Sequence, residues 1–122
     1  MVDSSAWLEY FADGPNAKHF AGAIEKPDEL LVPSITLLEV FKRISRQRDE
    51  AAAFQYVAAM RQGTVVDLDA SLALHAAALG LRYRLPLADS VVYATARNVD
   101  ALVWTQDADF EALQGVKFWR KV

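Results

Sequence analysis

The sequence predicts an α/β fold, an α/β/α sandwich built on a central parallel sheet of about five strands. Short runs rich in β-branched and aromatic residues alternate with longer stretches whose apolar residues recur at i, i+3 and i+4. Pro, Gly or Asp bounds each short run, as expected where a strand gives way to a turn or a helix. Regular alternation of this kind makes parallel strands with helices on both faces.

Met1-Val2 opens the chain as the first extended segment, followed at once by Asp3. "SAWLEYFA" and "NAKHFAGAIE" carry helical spacing, and "ELLVP", ending at Pro33, is the second strand. "SITLLEVFKRISRQ" and "DEAAAFQYVAAMRQ" are the next helices, the latter filled with alanine, the strongest helix former. "TVVDL" at 64–68 is the third strand. "DASLALHAAALGLRYR" follows, and Pro86, well suited to a helix start, introduces "LADSVVYATARN". "ALVW" at 101–104 is the fourth strand and "VKFW" at 116–119 the fifth. No repeat, low-complexity tract or linker interrupts the pattern, so residues 1–122 are expected to form a single domain.

Composition narrows the function. Apolar residues make up 53% of the chain, a globular composition. A net charge of −3 argues against coating nucleic acid by charge alone, but not against an enzyme acting on it through a metal ion. Cysteine is absent, which removes thiolate metal sites, and His19 and His75 stand far apart in sequence. His75 is expected to be a packed, satisfied histidine of its Ala/Leu-rich helix. The glycines are isolated and form no phosphate-cradling loop. No apolar run approaches the ~18 residues of a membrane span, and "MVDSSAWL" lacks a signal-peptide pattern, so a cytoplasmic location is expected.

Ligands of open α/β sheets bind beyond the carboxyl ends of the strands. Asp3 follows the first strand and Asp107 follows "ALVW". Glu39 lies in the helix that begins right after "ELLVP", and Asp89 is in the first turn after Pro86. Each has a structural explanation of its own. Asp3 suits a helix N-cap. Glu39 is spaced for ion pairs with Lys42, Arg43 and Arg46, and Thr36-x-x-Glu39 fits a capping box. Asp89 complements a helix dipole, and Asp107 or Asp109 starts a turn. Those explanations leave the convergence of four acids on one sheet edge unaccounted for. Crowded carboxylates repel unless a cation sits between them, and hard oxygen donors suit Mg²⁺ or Mn²⁺. Such ions orient and deprotonate a water for attack on a phosphodiester.

The stretches "VDSSAWLEYF", "PSITLLEVFKR", "LPLADSVVYATA" and "VWTQDADF" resemble, in order and spacing, the four acidic motifs of PIN-domain ribonucleases, specifically VapC-type toxins. The resemblance runs from Val2 to about Phe110. It implies a PIN-like fold and a Mg²⁺-dependent endoribonuclease whose catalytic acids are Asp3, Glu39, Asp89 and Asp107, with Asp3, Asp89 and Asp107 as metal ligands. Ser5 and Thr105 fall where the family carries hydroxyls beside the acids, and Asp109 matches a further acid of the last motif. Family members usually carry several apolar residues before the first aspartate, whereas here only Met1 and Val2 do, which implies either a trimmed first strand or a start assigned too late. The basic residues Lys42, Arg43 and Arg46 lie beyond Glu39, where an RNA backbone entering the site would pass.

The resemblance also implies a cognate antitoxin, an RNA substrate and a homodimer, for which "AAAFQYVAAM" offers apolar surface. An inhibitory antitoxin segment is expected to pack near Trp7 and Phe11 and to present an Arg or Lys to Asp3, Glu39 or Asp89. Trp7, Tyr10 and Phe11 themselves are expected in the core or an interface rather than on a base-stacking surface. The rival reading is a receiver-like signalling domain, with Asp67 as phosphoacceptor and Thr105 and Lys117 as its partners. Ser4-Ser5 stand where a receiver has a second acid, and the gap from Asp3 to Asp67 is too long.

Overall fold

A computed structural model describes residues 1–122. Two helices, α1 (Ser4–Phe11) and α2 (Ala17–Ile24), precede β1 (Leu31–Pro33). Next come α3 (Ser34–Gln47), α4 (Glu50–Met60), β2 (Thr64–Val66), α5 (Ala70–Tyr83) and α6 (Leu87–Asn98). The chain finishes with β3 (Val103–Thr105) and β4 (Val116–Phe118). The bounds of α3 and α6 coincide with the stretches expected from the sequence.

The helix starts are local chemistry. The side chains of Asp3, Asp49 and Asp69 each accept a backbone N–H from the first turn of α1, α4 and α5 respectively. Such caps satisfy donors that the helix cannot, each worth about 1 kcal/mol. α3 and α6 instead begin after prolines, Pro33 and Pro86, without a side-chain cap. The capping box expected at Thr36-x-x-Glu39 does not form. α3 starts earlier, at Ser34, and the Thr36 hydroxyl donates to the Pro33 carbonyl at 2.6 Å.

Strands β1 and β2 pair in parallel, as do β3 and β4. The Met1-Val2 segment is extended but contributes only one parallel bridge, Val2 to Trp104. It lies against β3 through Trp104 N–H to Met1 O at 2.8 Å and Asp3 N–H to Trp104 O at 3.2 Å. α1 begins at Ser4 and ends the extended segment there. The expected five extended segments are therefore present, but paired as two short ladders and a bridge.

Alternate residues of the inner segments face opposite ways, as period-2 geometry requires. Val2 and Val32 enter a core with Trp7, Phe20, Val40, Ile44 and Met60, from α1 to α4, and Trp104 packs against it. Met1 and Val103 enter a second core with Val92, Tyr93, Ala96 and Phe110, and Leu31 packs against that one. Helices thus cover both faces. α6 is buried at every residue from Ser90 to Ala96, because the strand layer and α5 enclose it. Trp7 is 1% exposed, so it is sealed in the core and unavailable to an inhibitory segment. Phe11 is half-buried and still reachable. His75 is only half-buried on α5 and is not the packed histidine expected. No helix is long and apolar enough to cross a membrane.

Candidate metal centre

Three acids converge beyond the carboxyl end of β3. Carboxylate oxygens of Asp89, Asp107 and Asp109 all lie within 4.8 Å of one another. Pro86 starts α6 so that Asp89 projects from its first turn. Asp107 leaves β3, and its Oδ1 accepts the Asp109 N–H at 2.9 Å, fixing a short 3₁₀ turn over Ala108–Phe110. Phe110, fully buried, anchors that turn in the second core. Sequence reasoning gave Asp109 only a supporting place, and the turn brings it into the group.

Asp3 lies behind these acids and is 2% exposed. Its oxygens accept hydrogen bonds from Ser5 Oγ (2.9 and 3.0 Å), Thr105 Oγ1 (2.8 Å) and the Ala6 N–H (3.1 Å). The expected hydroxyls therefore do bond a carboxylate. Burial raises the Asp3 pKa to about 6, against the lowering by those hydrogen bonds and with a further rise from the Asp107 charge. Asp89 is pushed up to about 8, first by burial, then by the charges of Asp107 and Asp3, with Asp109 adding a hydrogen bond and a charge. Burial and mutual charge thus oppose ionisation of Asp3 and Asp89 in a site they share with Asp107 and Asp109.

Glu39 stands apart from that group. Its Oε1 accepts from Ser4 Oγ at 2.8 Å. The ion pairs expected with Lys42, Arg43 and Arg46 are absent, because the molecule's one ion pair is Arg97–Asp100 at 3.9 Å. All three cations are exposed. Arg43 and Glu39 line a groove beside α1 and also, with Lys42, Arg46, Leu87 and Ala88, a second depression.

Sequence reasoning missed two buried amides. Asn16 Nδ2 donates to Gln106 Oε1 at 3.0 Å and to the Arg120 carbonyl at 2.9 Å. Gln106 sits between Thr105 and Asp107, so this pair ties the acid-bearing loop to α2 and the C-terminal tail. No local pattern marks either residue. Asn16→Ala strands the Gln106 carbonyl without its donor, which costs about 1–3 kcal/mol. We expect the melting temperature of Asn16→Ala to fall by about 5–10 °C, and an unchanged value in thermal denaturation would refute the tie.

The donor set fits a hard divalent cation: oxygen ligands only, mutually close, with ionisation of Asp89 opposed by burial and by its acidic neighbours. His19 stacks on Trp119 at 5.3 Å between ring centroids, and neither histidine joins the acid group.

The family model of the PIN domain matches residues 1–116. No curated protein matches the sequence significantly. Among solved structures, the chain is similar to a toxin–antitoxin complex from Klebsiella pneumoniae, with a TM-score of 0.77, 21% identity, and coverage of 95% of this chain and 93% of that one. It is similar to DNA-bound VapBC from Salmonella typhimurium (TM-score 0.72, 17% identity, 98% and 96% covered). It is also similar to VapC20 of Mycobacterium tuberculosis, a Sarcin-Ricin loop cleaving toxin (TM-score 0.77, 23% identity, 94% and 95% covered). At these identities the likeness is one of fold.

Proposed function

Because this chain belongs to the PIN-domain family, we propose that it is a metal-dependent endoribonuclease, the toxin of a toxin–antitoxin pair. The observation that carries the reading is the group of Asp89, Asp107 and Asp109, backed by the hydrogen-bonded Asp3. The toxin assignment draws on neighbours of the same fold that are VapBC complexes and an RNA-cleaving toxin.

Asp89, Asp107 and Asp109 would hold Mg²⁺ or Mn²⁺, with Asp3 as a further acid at its side. The ion supplies charge neutralisation at the phosphate and an activated water. Ser5 and Thr105 orient the Asp3 carboxylate, and the Asp107 N–H donates to Thr105 Oγ1 at 2.8 Å, joining the two acid-bearing loops. Asp107 fixes the turn that carries Asp109. Glu39, held by Ser4, lies on the approach to the site and takes part from there. An antitoxin silences the centre by placing a guanidinium or ammonium among these acids.

The receiver reading finds no support. Asp67 is exposed after β2, which pairs only with β1, and Lys117 Nζ lies 4.5 Å from the Trp104 ring centroid. RNA cleavage that requires Mg²⁺ and stops with EDTA tests the nuclease reading, and mapping new 5′ ends after brief induction in cells identifies the RNA. Absence of new ends with soluble protein present would overturn it.

For the proposed homodimer, α5 and the start of α6 offer a second apolar surface beside the expected one. In "AAAFQYVAAM" Ala52, Ala53 and Met60 are buried but Phe54 is 61% exposed, and Leu74, Leu81 and Leu87 are 74%, 84% and 77% exposed. Leu74 and Leu81 lie two turns apart on one face of α5. Light scattering is expected to give twice the 13.5 kDa chain mass, and Leu74→Glu with Leu81→Glu to give the monomer. A monomeric parent protein would refute the proposal.

A further inference from the structure

Asn16 stands at the N-cap of α2, and asparagine is among the residues that cap a helix best. It makes no side-chain capping bond. Its Nδ2 carries two hydrogens, and both are spent outside the helix, on Gln106 Oε1 at 3.0 Å and on the Arg120 carbonyl at 2.9 Å. Both amides are buried, Asn16 at 4% and Gln106 at 8% exposure. The chain forgoes a stabilising cap on α2 in order to hold a glutamine. A local rule broken without local gain is expected where function sets the geometry.

The segment that carries Asn16 is itself held. The Asn16 backbone N–H donates to Glu9 Oε2 at 2.8 Å. Gly14 makes room for that carboxylate, because a Cβ at this position would collide with Glu9 Oε1. At the other end, Gln106 lies between Thr105, which donates to Asp3, and Asp107. The Gln106 N–H donates to Ser5 Oγ at 3.4 Å. Successive residues of an extended segment point opposite ways, so a Gln106 side chain pinned toward α2 sets the direction of Asp107. Asp107 in turn closes the turn that carries Asp109.

We propose that Asn16, itself held by Glu9, is a positioning residue of the metal centre: through Gln106 it fixes the direction of Asp107, and through the Asp107 turn that of Asp109. The inference rests on the metal-centre reading and adds to it a residue 90 positions from Gln106 that is not a ligand. Carboxylates that must converge within 4.8 Å leave little slack for a loop that wanders. Partners that orient metal ligands are typically worth about 10–100-fold in metal affinity.

Binding of Mn²⁺, read from the electron paramagnetic resonance signal of the free ion, tests this independently of cleavage. Asn16→Ala is expected to weaken binding about tenfold. Asn16→Ser supplies a good helix cap but is too short to reach Gln106, and is expected to weaken binding as much. Glu9→Ala is expected to shift affinity in the same direction by less, and Glu9→Gln, which keeps an acceptor for the Asn16 N–H, to bind as wild type does. Ile44→Val, a destabilising change in the buried core remote from this loop, is expected to leave Mn²⁺ affinity unchanged. Asn16 variants that melt lower yet bind Mn²⁺ as tightly as wild type would overturn the proposal and leave Asn16 purely structural. An equal loss in Ile44→Val would overturn it too, because affinity would then follow overall stability. Wild-type protein that binds no Mn²⁺ would remove the metal centre and this inference with it. Wild-type protein that binds Mn²⁺ but cleaves no RNA, with the Asn16 variants still weakened, would remove the nuclease reading and leave the positioning role standing.

Discussion

Replacing Asp89 by Asn is expected to lower RNA cleavage by about a hundredfold or more while raising the melting temperature of the metal-free protein. The activity side follows from the ligand set. Outer-shell partners of a bound metal are typically worth about 10–100-fold, and a carboxylate inside the group should matter at least as much. Asp89 shares its 4.8 Å group with Asp107 and Asp109, so its loss leaves two close acids. The stability side follows from crowding. Burial and the charges of Asp107 and Asp3 oppose ionisation of Asp89, and an amide of the same shape is free of that opposition. At this chain length each kcal/mol relieved is worth about 4 °C. Asp3→Asn is expected to match the loss of activity, whereas Asp67→Asn is expected to cleave normally. Full activity in Asp89→Asn would refute the assignment, and a lower melting temperature would show that Asp89 is a structural rather than a frustrated acid.

Stability of the metal-free protein should fall as pH rises from about 4 to about 8, the reverse of ordinary acid denaturation. Folding raises Asp3 from 3.8 to about 6 and Asp89 from 3.8 to about 8. Between those values the folded chain retains protons that the unfolded chain has released. Its stability therefore declines through that window, and the penalty is complete only above the folded pKa of Asp89. Mg²⁺ substitutes for the retained protons, so binding releases them and strengthens with pH. The melting-temperature gain from Mg²⁺ is accordingly expected to be several degrees at pH 8, small at pH 5, and absent in Asp89→Asn. A melting temperature in EDTA that stays flat from pH 5 to pH 8, or equal Mg²⁺ gains at both, would refute the crowding that underlies the site.

The features legible in the sequence are those that physics determines within about one helical turn. α3 and α6 follow Pro33 and Pro86, and Asp3, Asp49 and Asp69 cap α1, α4 and α5. Caps, prolines and apolar spacing act over three or four residues, so a single chain displays them. The positions of Asp3, Asp89 and Asp107 at strand and helix ends were legible for the same reason, and their convergence follows from parallel topology.

What escaped depends on partners distant in sequence. Glu39 is bonded by Ser4, 35 residues away, and not by the cations one turn along its own helix. The geometry between α1 and α3 decided that choice. Asn16 and Gln106 meet across 90 residues, and Thr105 reaches Asp3 across 102. Asp109 enters the acid group through the turn that Asp107 closes and buried Phe110 anchors, and Trp7 is hidden from solvent because α1 packs onto α2, α3 and β3. Composition and periodicity state which residues prefer burial or charge. Only close packing of the folded chain decides which carboxylate meets which hydroxyl, because those contacts form after the backbone layers have set the distances between them.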